Sequence, residues 1–174
     1  VICPINVTID CKTSSDPLST GTLTSTDNCN NLVTNISYTD VKVNGGCNGN
    51  STISRAWMAT DSCGNADSCI QIIIIQDASQ PTITCPADIT INCDDNTDTT
   101  NTGIATITSN CANAEINLTF DEVIFNGNCN DNYTINRTWT SLDTCLNNSS
   151  CLQIITVQDT SRPAINCPTN VTVN

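Results

Sequence analysis

Short stretches of alternating apolar and polar residues recur along the chain and predict β-strands. An apolar–Thr–apolar pattern occurs at residues 7–9, 89–91 and 171–173, and the interval between successive occurrences is constant. Alternation with a period of two places every second side chain on the same face of a strand. No stretch shows a sustained 3.6-residue apolar period, so the pattern favours strands over helices throughout.

The other predicted strands also occur as pairs, separated by the same interval. They cover residues 22–24, 36–41, 52–57 and 70–73 in the first copy, and 105–106, 118–123, 134–139 and 152–155 in the second. The last strand of each copy is apolar on both faces, which indicates a central position in a sheet. Clusters of Asn and Gly separate the strands and indicate turns. Short strands with regular turns predict an all-β sandwich.

The cysteines follow the same period as the strands. Six columns recur, and they are Cys3/Cys85, Cys11/Cys93, Cys29/Cys111, Cys47/Cys129, Cys63/Cys145 and Cys69/Cys151. Cys167 opens a third copy. The sequence therefore predicts two modules, 1–80 and 81–162, followed by the first strand of a third module at 163–174. A short Pro-containing boundary at residues 76–81 predicts limited hinge freedom between the modules.

Thirteen cysteines without a histidine predict structural disulfides formed in an oxidising compartment, and therefore an extracellular or cell-surface protein. Neither a Cys-x-x-Cys motif nor mixed Cys/His spacing is present, so zinc is not expected. The whole chain has only six aromatic residues. A module of this size with so thin a core commonly needs covalent cross-links.

The formal net charge of −12 restricts the partners of the chain. Nucleic acids and anionic membrane surfaces bind through clustered Lys and Arg, so neither is expected. The longest apolar run, residues 72–75, is far too short to span a membrane. The acidic residues suit Ca²⁺ as a cofactor, with Asp77 and Asp159 at the module boundaries as candidate ligands. The alternative is that these acids are solvated loop residues, and no other cofactor is expected.

A series of motifs runs through both copies. In order these are Cys-Pro-x-x-(Ile/Val)-Thr-(Ile/Val)-x-Cys, Asp-Asn-Cys, Thr-Ile-x-Arg-x-Trp, Asp-Ser-Cys-Gly-Asn, Cys-x-Gln-x-Ile and Asp-x-x-x-Pro. The series resembles the hyalin-repeat-like (HYR-like) immunoglobulin-like modules found in tandem in large surface adhesins of gliding bacteria. The resemblance implies immunoglobulin-like sandwiches and an adhesive role outside the cell. The second copy departs from the series at Ser109 and Leu146.

Strand direction in an immunoglobulin-like module predicts the disulfide pairing. The first and last strands run parallel, so cysteines that begin both strands lie at one pole of the module. The pairing that keeps to poles is Cys3–Cys69, Cys11–Cys47 and Cys29–Cys63, repeated as Cys85–Cys151, Cys93–Cys129 and Cys111–Cys145. A Cys63–Cys69 bond across the last hairpin is the main alternative, because six cysteines allow fifteen connectivities.

An acidic residue precedes the Arg-x-Trp motif at the same distance in both copies. Asp40 and Arg55 in the first copy correspond to Glu122 and Arg137 in the second. The length of the acid changes while its charge is kept, which predicts a structural ion pair across neighbouring strands. The alternative is a ligand-binding patch formed by the arginine and the tryptophan.

Glycosylation sequons occur in both copies at two columns, Asn35/Asn117 and Asn50/Asn132. These four asparagines are the candidate glycosylation sites in a secreted protein. The alternative is that polar strand edges there resist aggregation.

The features together predict an extracellular structural or adhesive repeat protein, acting as a rigid, disulfide-stapled spacer in a surface adhesin or filament. Its expected partners are neighbouring repeats or subunits of the same protein, and surface glycans or other cells. An enzyme is not expected, because the chain has no histidine for acid–base chemistry. One alternative is a filament subunit that donates its terminal strand to a neighbour by β-augmentation. Another is a carbohydrate-binding module.

Overall fold

A computed structural model describes residues 1–26, 33–111, 115–129 and 131–168, in which the chain is all-β. The strands are β1 Val7–Asp10, β2 Val33–Asn44, β3 Ser51–Asp61, β4 Ala66–Gln76, β5 Thr82–Thr84, β6 Ile89–Asn92, β7 Thr106–Thr108, β8 Ile116–Asn126, β9 Tyr133–Asp143 and β10 Asn148–Gln158. Two one-turn helices complete the structure, α1 Pro17–Thr20 and α2 Thr99–Thr102. In the described ranges, no helix has the length and apolar character that a membrane crossing requires.

The chain forms two compact units whose bounds differ from the predicted modules. Unit 1 contains Val1–Thr84, Thr106–Thr119 and Thr140–Cys151, and unit 2 contains Cys85–Ala105, Phe120–Trp139 and Leu152–Asn174. Unit 1 therefore includes two segments of the second repeat. Residues 163–168 form no strand, and the remainder of the predicted third-module strand lies outside the described residues.

The main sheet of unit 1 has the strand order β1-β4-β3-β2. β1 runs parallel to β4, whereas β3 is antiparallel to both of its neighbours. The prediction that the first and last strands run parallel is confirmed, and so is the central position of the last strand. The second repeat has the same order, β6-β10-β9-β8, with β6 parallel to β10.

A smaller layer covers the inner face of the first sheet. The predicted strand at residues 22–24 is reduced to a single bridge between Ile2 and Thr24. Leu23, beside that bridge, packs on Trp57 and Ala59 of β3 in a buried cluster. The equivalent positions of the second repeat extend into a two-stranded sheet, β5 with β7. The fold is thus a disulfide-stapled all-β sandwich, as predicted.

The long strands extend several residues beyond their predicted ends. β2, β3 and β4 contain 12, 11 and 11 residues, whereas the apolar pattern marked only a short central part of each. The added residues mix polar side chains with apolar ones and do not continue a regular apolar alternation. They continue the strands because each backbone group finds a partner in the neighbouring ladder.

The two one-turn helices were not predicted. Pro17 occupies the first turn of α1, and Gly21 ends it with a φ of 99°. A Cβ atom at Gly21 would lie 3.1 Å from Cβ of Pro4, so both the dihedral angle and the space require glycine. Gly103 ends α2 in the same way, with a φ of 95° beside Pro86.

A buried glutamine on β4 connects the two layers. The side chain of Gln71 is fully buried, and its Oε1 accepts a hydrogen bond from Trp57 Nε1 at 3.1 Å. Its Nε2 donates to the carbonyl oxygens of Ile5 and Thr20 at 2.9 and 2.7 Å. Gln153 makes the equivalent contacts with Trp139, Ala87 and Thr102 in the second repeat.

Replacing the glutamine should destabilise the first repeat strongly. Gln71→Leu leaves two carbonyl oxygens and one indole N–H without partners, and each such group costs about 1–3 kcal/mol. We expect a loss of about 2 kcal/mol or more in the free energy of unfolding, measured in guanidinium chloride with the disulfides intact. Trp57 fluorescence in a Trp139→Phe background reports the transition. Gln76→Leu, an exposed position on the same strand, is the control and should stay within about 0.5 kcal/mol. Equal stability of the two variants would contradict the structural role of Gln71.

Candidate functional site

The arginine of the Arg-x-Trp motif lies inside the sandwich. Arg55 on β3 is 1% exposed, and its guanidinium binds Asp40 of β2 through Nε at 2.8 Å and through Nη2 at 2.9 Å. Nη1 donates to Thr20 Oγ1 at 3.0 Å, and Nη2 also donates to the carbonyl oxygen of Ser15 at 2.8 Å. Asp40, foremost through its hydrogen bond, raises the pKa of Arg55 above its usual range. The buried charge is therefore both paired and hydrogen-bonded.

The second repeat contains the same arrangement with a longer acid. Nε and Nη2 of Arg137 both contact Oε1 of Glu122 at 2.6 Å. Nη1 donates to Thr102 Oγ1, and Nη2 also donates to the carbonyl oxygen of Thr97, each at 2.6 Å. Both ion pairs expected from the sequence are present, so an aspartate and a glutamate reach the same guanidinium position.

Aromatic rings enclose each guanidinium. The Arg55 guanidinium lies 4.5 Å from the Tyr38 ring centroid and 5.7 Å from that of Trp57. Phe120 and Trp139 lie 4.9 and 5.9 Å from the Arg137 guanidinium. The two arginines and the two tryptophans are each at most 3% exposed. The arginine and tryptophan are thus parts of the interior, which favours their structural interpretation over a ligand-binding patch.

The disulfides agree only in part with the predicted pairing. Cys3 and Cys69 are bonded, with their Cα atoms 5.9 Å apart, and Cys85 and Cys151 are both disulfide-bonded. The predicted Cys11–Cys47 bond is wrong. Cys11 is bonded to Cys111, and Cys47 is bonded to Cys145, with Cα separations of 5.7 and 5.2 Å.

The predicted pairs Cys111–Cys145, Cys93–Cys129 and Cys29–Cys63 are also wrong. Cys111 and Cys145 are bonded to the first repeat, so they do not pair with each other. Cys93 and Cys129 are free thiols. Cys63 is also free, which excludes both the Cys29–Cys63 bond and the Cys63–Cys69 alternative, while Cys29 itself lies outside the described residues. The prediction assumed that each set of six cysteines closes within its own repeat.

The placement of Cys11 and Cys47 at one pole was nevertheless right. Both residues line one cleft of unit 1 together with Cys111. Cys11 follows the end of β1, and Cys47 lies in the turn between β2 and β3. Two segments of the second repeat lie in this part of unit 1 and supply Cys111 and Cys145 at the Cα distances that a disulfide requires.

Hydrogen bonds support this junction of two disulfides, which we call the clamp (Cys11–Cys111 and Cys47–Cys145). Asn147 Nδ2 donates to the carbonyl oxygen of Asp77 at 3.0 Å and to Asp143 Oδ2 at 2.9 Å. The backbone N–H of Asp77 donates to Asn50 Oδ1 at 2.6 Å. Asp77 is consequently 7% exposed.

Asp77 and Asp159 each stabilise the turn that follows them in the chain. Asp77 Oδ1 accepts the backbone N–H of Ser79, and Asp159 Oδ1 accepts that of Ser161. Within the described ranges, one group of three potential metal-ligating side chains lies close together, and it consists of Cys11, Asp77 and Cys111. Its two sulfur atoms form a disulfide, so they cannot act as thiolate ligands. Calcium binding by these acids stays a prediction.

The four candidate glycosylation sites fall into two kinds. Asn35 on β2 and Asn117 on β8 are exposed. Asn50 and Asn132 are half-buried, and each accepts a backbone N–H bond at 2.6 Å, from Asp77 and Asp159 respectively. The first pair leaves its amides open to modification, whereas the second pair shapes the turn in which it lies.

Asp61 shapes the loop around Cys63. Its carboxylate accepts the backbone N–H groups of Cys63 and Asn65 at 2.8 Å each, and the Asn65 side chain donates to it at 2.7 Å. The Asn65 side chain, followed by these backbone N–H groups, lowers the pKa of Asp61 below its usual range. In the second repeat Asp143 organises the loop around Cys145 with the same contacts.

Two groups of important residues were missed from the sequence. Gln71 and Gln153 belong to the quoted Cys-x-Gln-x-Ile motif, and their identity in both copies between apolar neighbours was a usable signal. Asn147 also has an identical counterpart, Asn65. Nothing in one sequence indicates that Asn147 donates to a residue as distant along the chain as Asp77.

No family model matches the chain, and a comparison with curated proteins gives no significant match. The resemblance to hyalin-repeat-like modules therefore stays an expectation.

The ion pair should contribute more through the arginine than through the acid. Arg55→Ala removes four hydrogen bonds and the contacts with two rings, and we expect a loss of about 3–5 kcal/mol in the free energy of unfolding. Asp40→Asn should cost less, because an amide oxygen can still accept from Nε and the bonds to Thr20 and Ser15 remain. Lys42→Ala, an exposed position on β2 close to Asp40, is the control. Denaturant unfolding followed by Trp57 fluorescence measures the stability of all three variants. A larger loss for Asp40→Asn than for Arg55→Ala would contradict the expected order.

The clamp should appear in peptide maps of unreduced protein. Digestion without reduction is expected to release linked peptides containing Cys11 with Cys111 and Cys47 with Cys145, because their Cα separations fall in the range for disulfides. Mass spectrometry before and after reduction identifies the pairs, and the Cys3–Cys69 peptide serves as the internal control. Recovery of Cys11 linked to Cys47 would overturn the clamp.

Proposed function

We propose that the chain is a load-bearing spacer in an extracellular adhesin or filament. The observation that carries this proposal is the overlap of the disulfide loops. The loops closed by Cys3–Cys69, Cys11–Cys111 and Cys47–Cys145 overlap in sequence, so residues 3–145 all lie within at least one of them. A chain that must transmit force without lengthening benefits from such an arrangement.

The overlap shortens the covalent path along which force passes. From Cys3 the path crosses to Cys69, returns along the backbone to Cys47 and crosses to Cys145. The only backbone in this path is the short segment between Cys47 and Cys69, which replaces the whole backbone from Cys3 to Cys145. Loss of the fold under load would therefore extend this part of the molecule only slightly.

Composition supports an extracellular setting for this role. Disulfides persist in oxidising compartments, and the net charge of −12 keeps an exposed surface soluble. Exposed Asn35 and Asn117 suit glycans on such a surface. The adhesive partners would be neighbouring repeats, surface glycans or other cells.

Single-molecule pulling tests the mechanical part of the proposal. The chain is held at both ends and unfolded by force, first oxidised and then in a reducing buffer. Reduction should add at least about 430 Å of extension, since it releases the difference between the two paths at about 3.6 Å per residue. Cys167→Ser, which alters a free thiol, should behave as the unaltered chain does. Equal extension in the two buffers would contradict the load-bearing role.

Labelling of intact cells tests the location. A membrane-impermeant amine reagent applied to cells that produce the protein should modify exposed Lys12 and Lys42 as fully as it does in purified protein. A cytoplasmic protein of the same cells is the control. Labelling only after lysis would contradict an extracellular location.

A further inference from the structure

The cysteine columns that form the clamp in the first repeat are open in the second. Cys11 is bonded to Cys111, which lies 100 residues later in the sequence, and Cys47 is bonded to Cys145, which lies 98 residues later. The residues at the same positions of the second repeat are Cys93 and Cys129, and both are free thiols in unit 2. Partners at the same separations of 100 and 98 residues from Cys93 and Cys129 would lie beyond these 174 residues.

The backbone around the open thiols already has the shape found in the clamp. The Cys129 carbonyl oxygen accepts the backbone N–H of Asn132 at 3.1 Å, and the Cys47 carbonyl oxygen accepts that of Asn50 at the same distance. The backbone N–H of Asp159 donates to Asn132 Oδ1 at 2.6 Å, and that of Asp77 donates to Asn50 Oδ1 at the same distance. A partner would therefore meet a preformed turn.

The turn of Cys47 in the first repeat and the turn of Cys129 in the second differ in their exposure to solvent. Asp77 is buried and Cys47 is half-buried, whereas Asp159 and Cys129 at the same positions are exposed. In unit 1 the covering groups are Cys111, Cys145 and Asn147. The turn of the second repeat thus has the local structure of the clamp without its cover.

The complementary half of the clamp is open in the first repeat. Cys63 is a free, exposed thiol at the position of Cys145. Its loop is held by Asp61 as the loop of Cys145 is held by Asp143, with a backbone N–H bond of 2.8 Å in both cases. The Asn65 side chain donates to Asp61 at 2.7 Å, just as Asn147 donates to Asp143 at 2.9 Å.

We infer that the turn of Cys129 and Asp159 is a docking site for a second copy of this repeat. The arriving copy supplies Cys63 for Cys129, and its Asn65 donates a hydrogen bond to the Asp159 carbonyl oxygen. The contact is head-to-tail, so a joined pair still has one free Cys63 and one free Cys129 for further copies. The inference rests on the proposed spacer function and deepens it by naming the partner and the bonds that extend it.

Each new bond forms by two thiol–disulfide exchanges with a small-molecule disulfide such as oxidised glutathione. The Cys129 thiolate attacks one sulfur of that disulfide, which releases one small thiol and leaves a mixed disulfide on Cys129. The Cys63 thiolate of the arriving copy then attacks the Cys129 sulfur and releases the second small thiol. Two protein thiols are oxidised, one small disulfide is reduced, and the two protons are taken up by the thiols released.

Cys129 and Cys93 should react in that order. Burial raises the pKa of the Cys93 thiol, and the carboxylates of Asp159 and Asp94 act in the same direction. Less of Cys93 is therefore thiolate at neutral pH, whereas Cys129 is exposed to the reagent.

Two complementary variants of the full chain test the docking site. The tail variant, Cys63→Ser, keeps Cys129, and the head variant, Cys129→Ser, keeps Cys63. Both also carry Cys93→Ser and Cys167→Ser. Cys63, Cys93, Cys129 and Cys167 are unpaired, so their substitution leaves the bonds of the fold in place. Near-ultraviolet circular dichroism of each variant checks the packing.

The variants are incubated with oxidised and reduced glutathione, alone and mixed. Covalent dimers should form in the mixture and be lost in either variant alone. Peptide mapping of the dimer should give Cys129 linked to Cys63, with one variant isotopically labelled to show that the bond joins two chains. A mixture with no more dimer than the single variants would overturn the inference, and so would Cys129–Cys129 or Cys63–Cys63 bonds.

The source of the second copy is distinguished in native material. If it comes from another chain, the mass falls to that of the single chain on reduction. If it comes from a continuation of the same chain, the mass barely changes on reduction, and the bonds map as far ahead of Cys93 and Cys129 as those of the clamp do from Cys11 and Cys47. Failure of the dimer test leaves the pulling and surface-labelling results of the spacer untouched, so the two proposals can fail separately.

Discussion

Each repeat is organised around a guanidinium group that has been removed from water. A buried charge of this kind is tolerated only when its donors are satisfied, and four contacts from Asp40, Thr20 and Ser15 do this for Arg55. The segment from Ser15 to Thr20 must therefore approach the sheet closely. The one-turn helix α1 and the left-handed Gly21 allow that approach. Gln71 beside the arginine binds the carbonyl oxygen of Thr20 and fixes the same segment from the neighbouring strand.

The parts of the fold that could be predicted are those that depend on periodicity. Alternation in residues 7–9 and the two-sided apolar run at 70–73 placed β1 and β4 correctly, because burial selects side chains directly. The column shared by Asp40 and Glu122 identified the ion pairs, because a charge kept at changed length implies a fixed partner. The ends of β2 and β3 and the helix α1 were missed, since they are set by backbone pairing and by the needs of Arg55.

The clamp could not be predicted for a different reason. A periodic sequence states which cysteines are equivalent, but it does not state in which repeat the partner lies. Cys11 with Cys47 and Cys11 with Cys111 are equally compatible with the repeat period. Only the position of the turns in space decides between them, and residues such as Asn50 and Asn147 that fix these positions carry ordinary polar signals. The free thiols at Cys93 and Cys129 follow from the same choice.

The overlapping loops also constrain how such a chain is made. During synthesis from the N-terminus, Cys11 and Cys47 emerge long before Cys111 and Cys145, because their bonds span 100 and 98 residues. Cys3–Cys69 can close earlier, within its own repeat. The first repeat can therefore close one bond of its own, while Cys11 and Cys47 stay reduced until the second repeat has been made. An oxidant acting before that point would trap Cys11 with Cys47, which lie at the same pole.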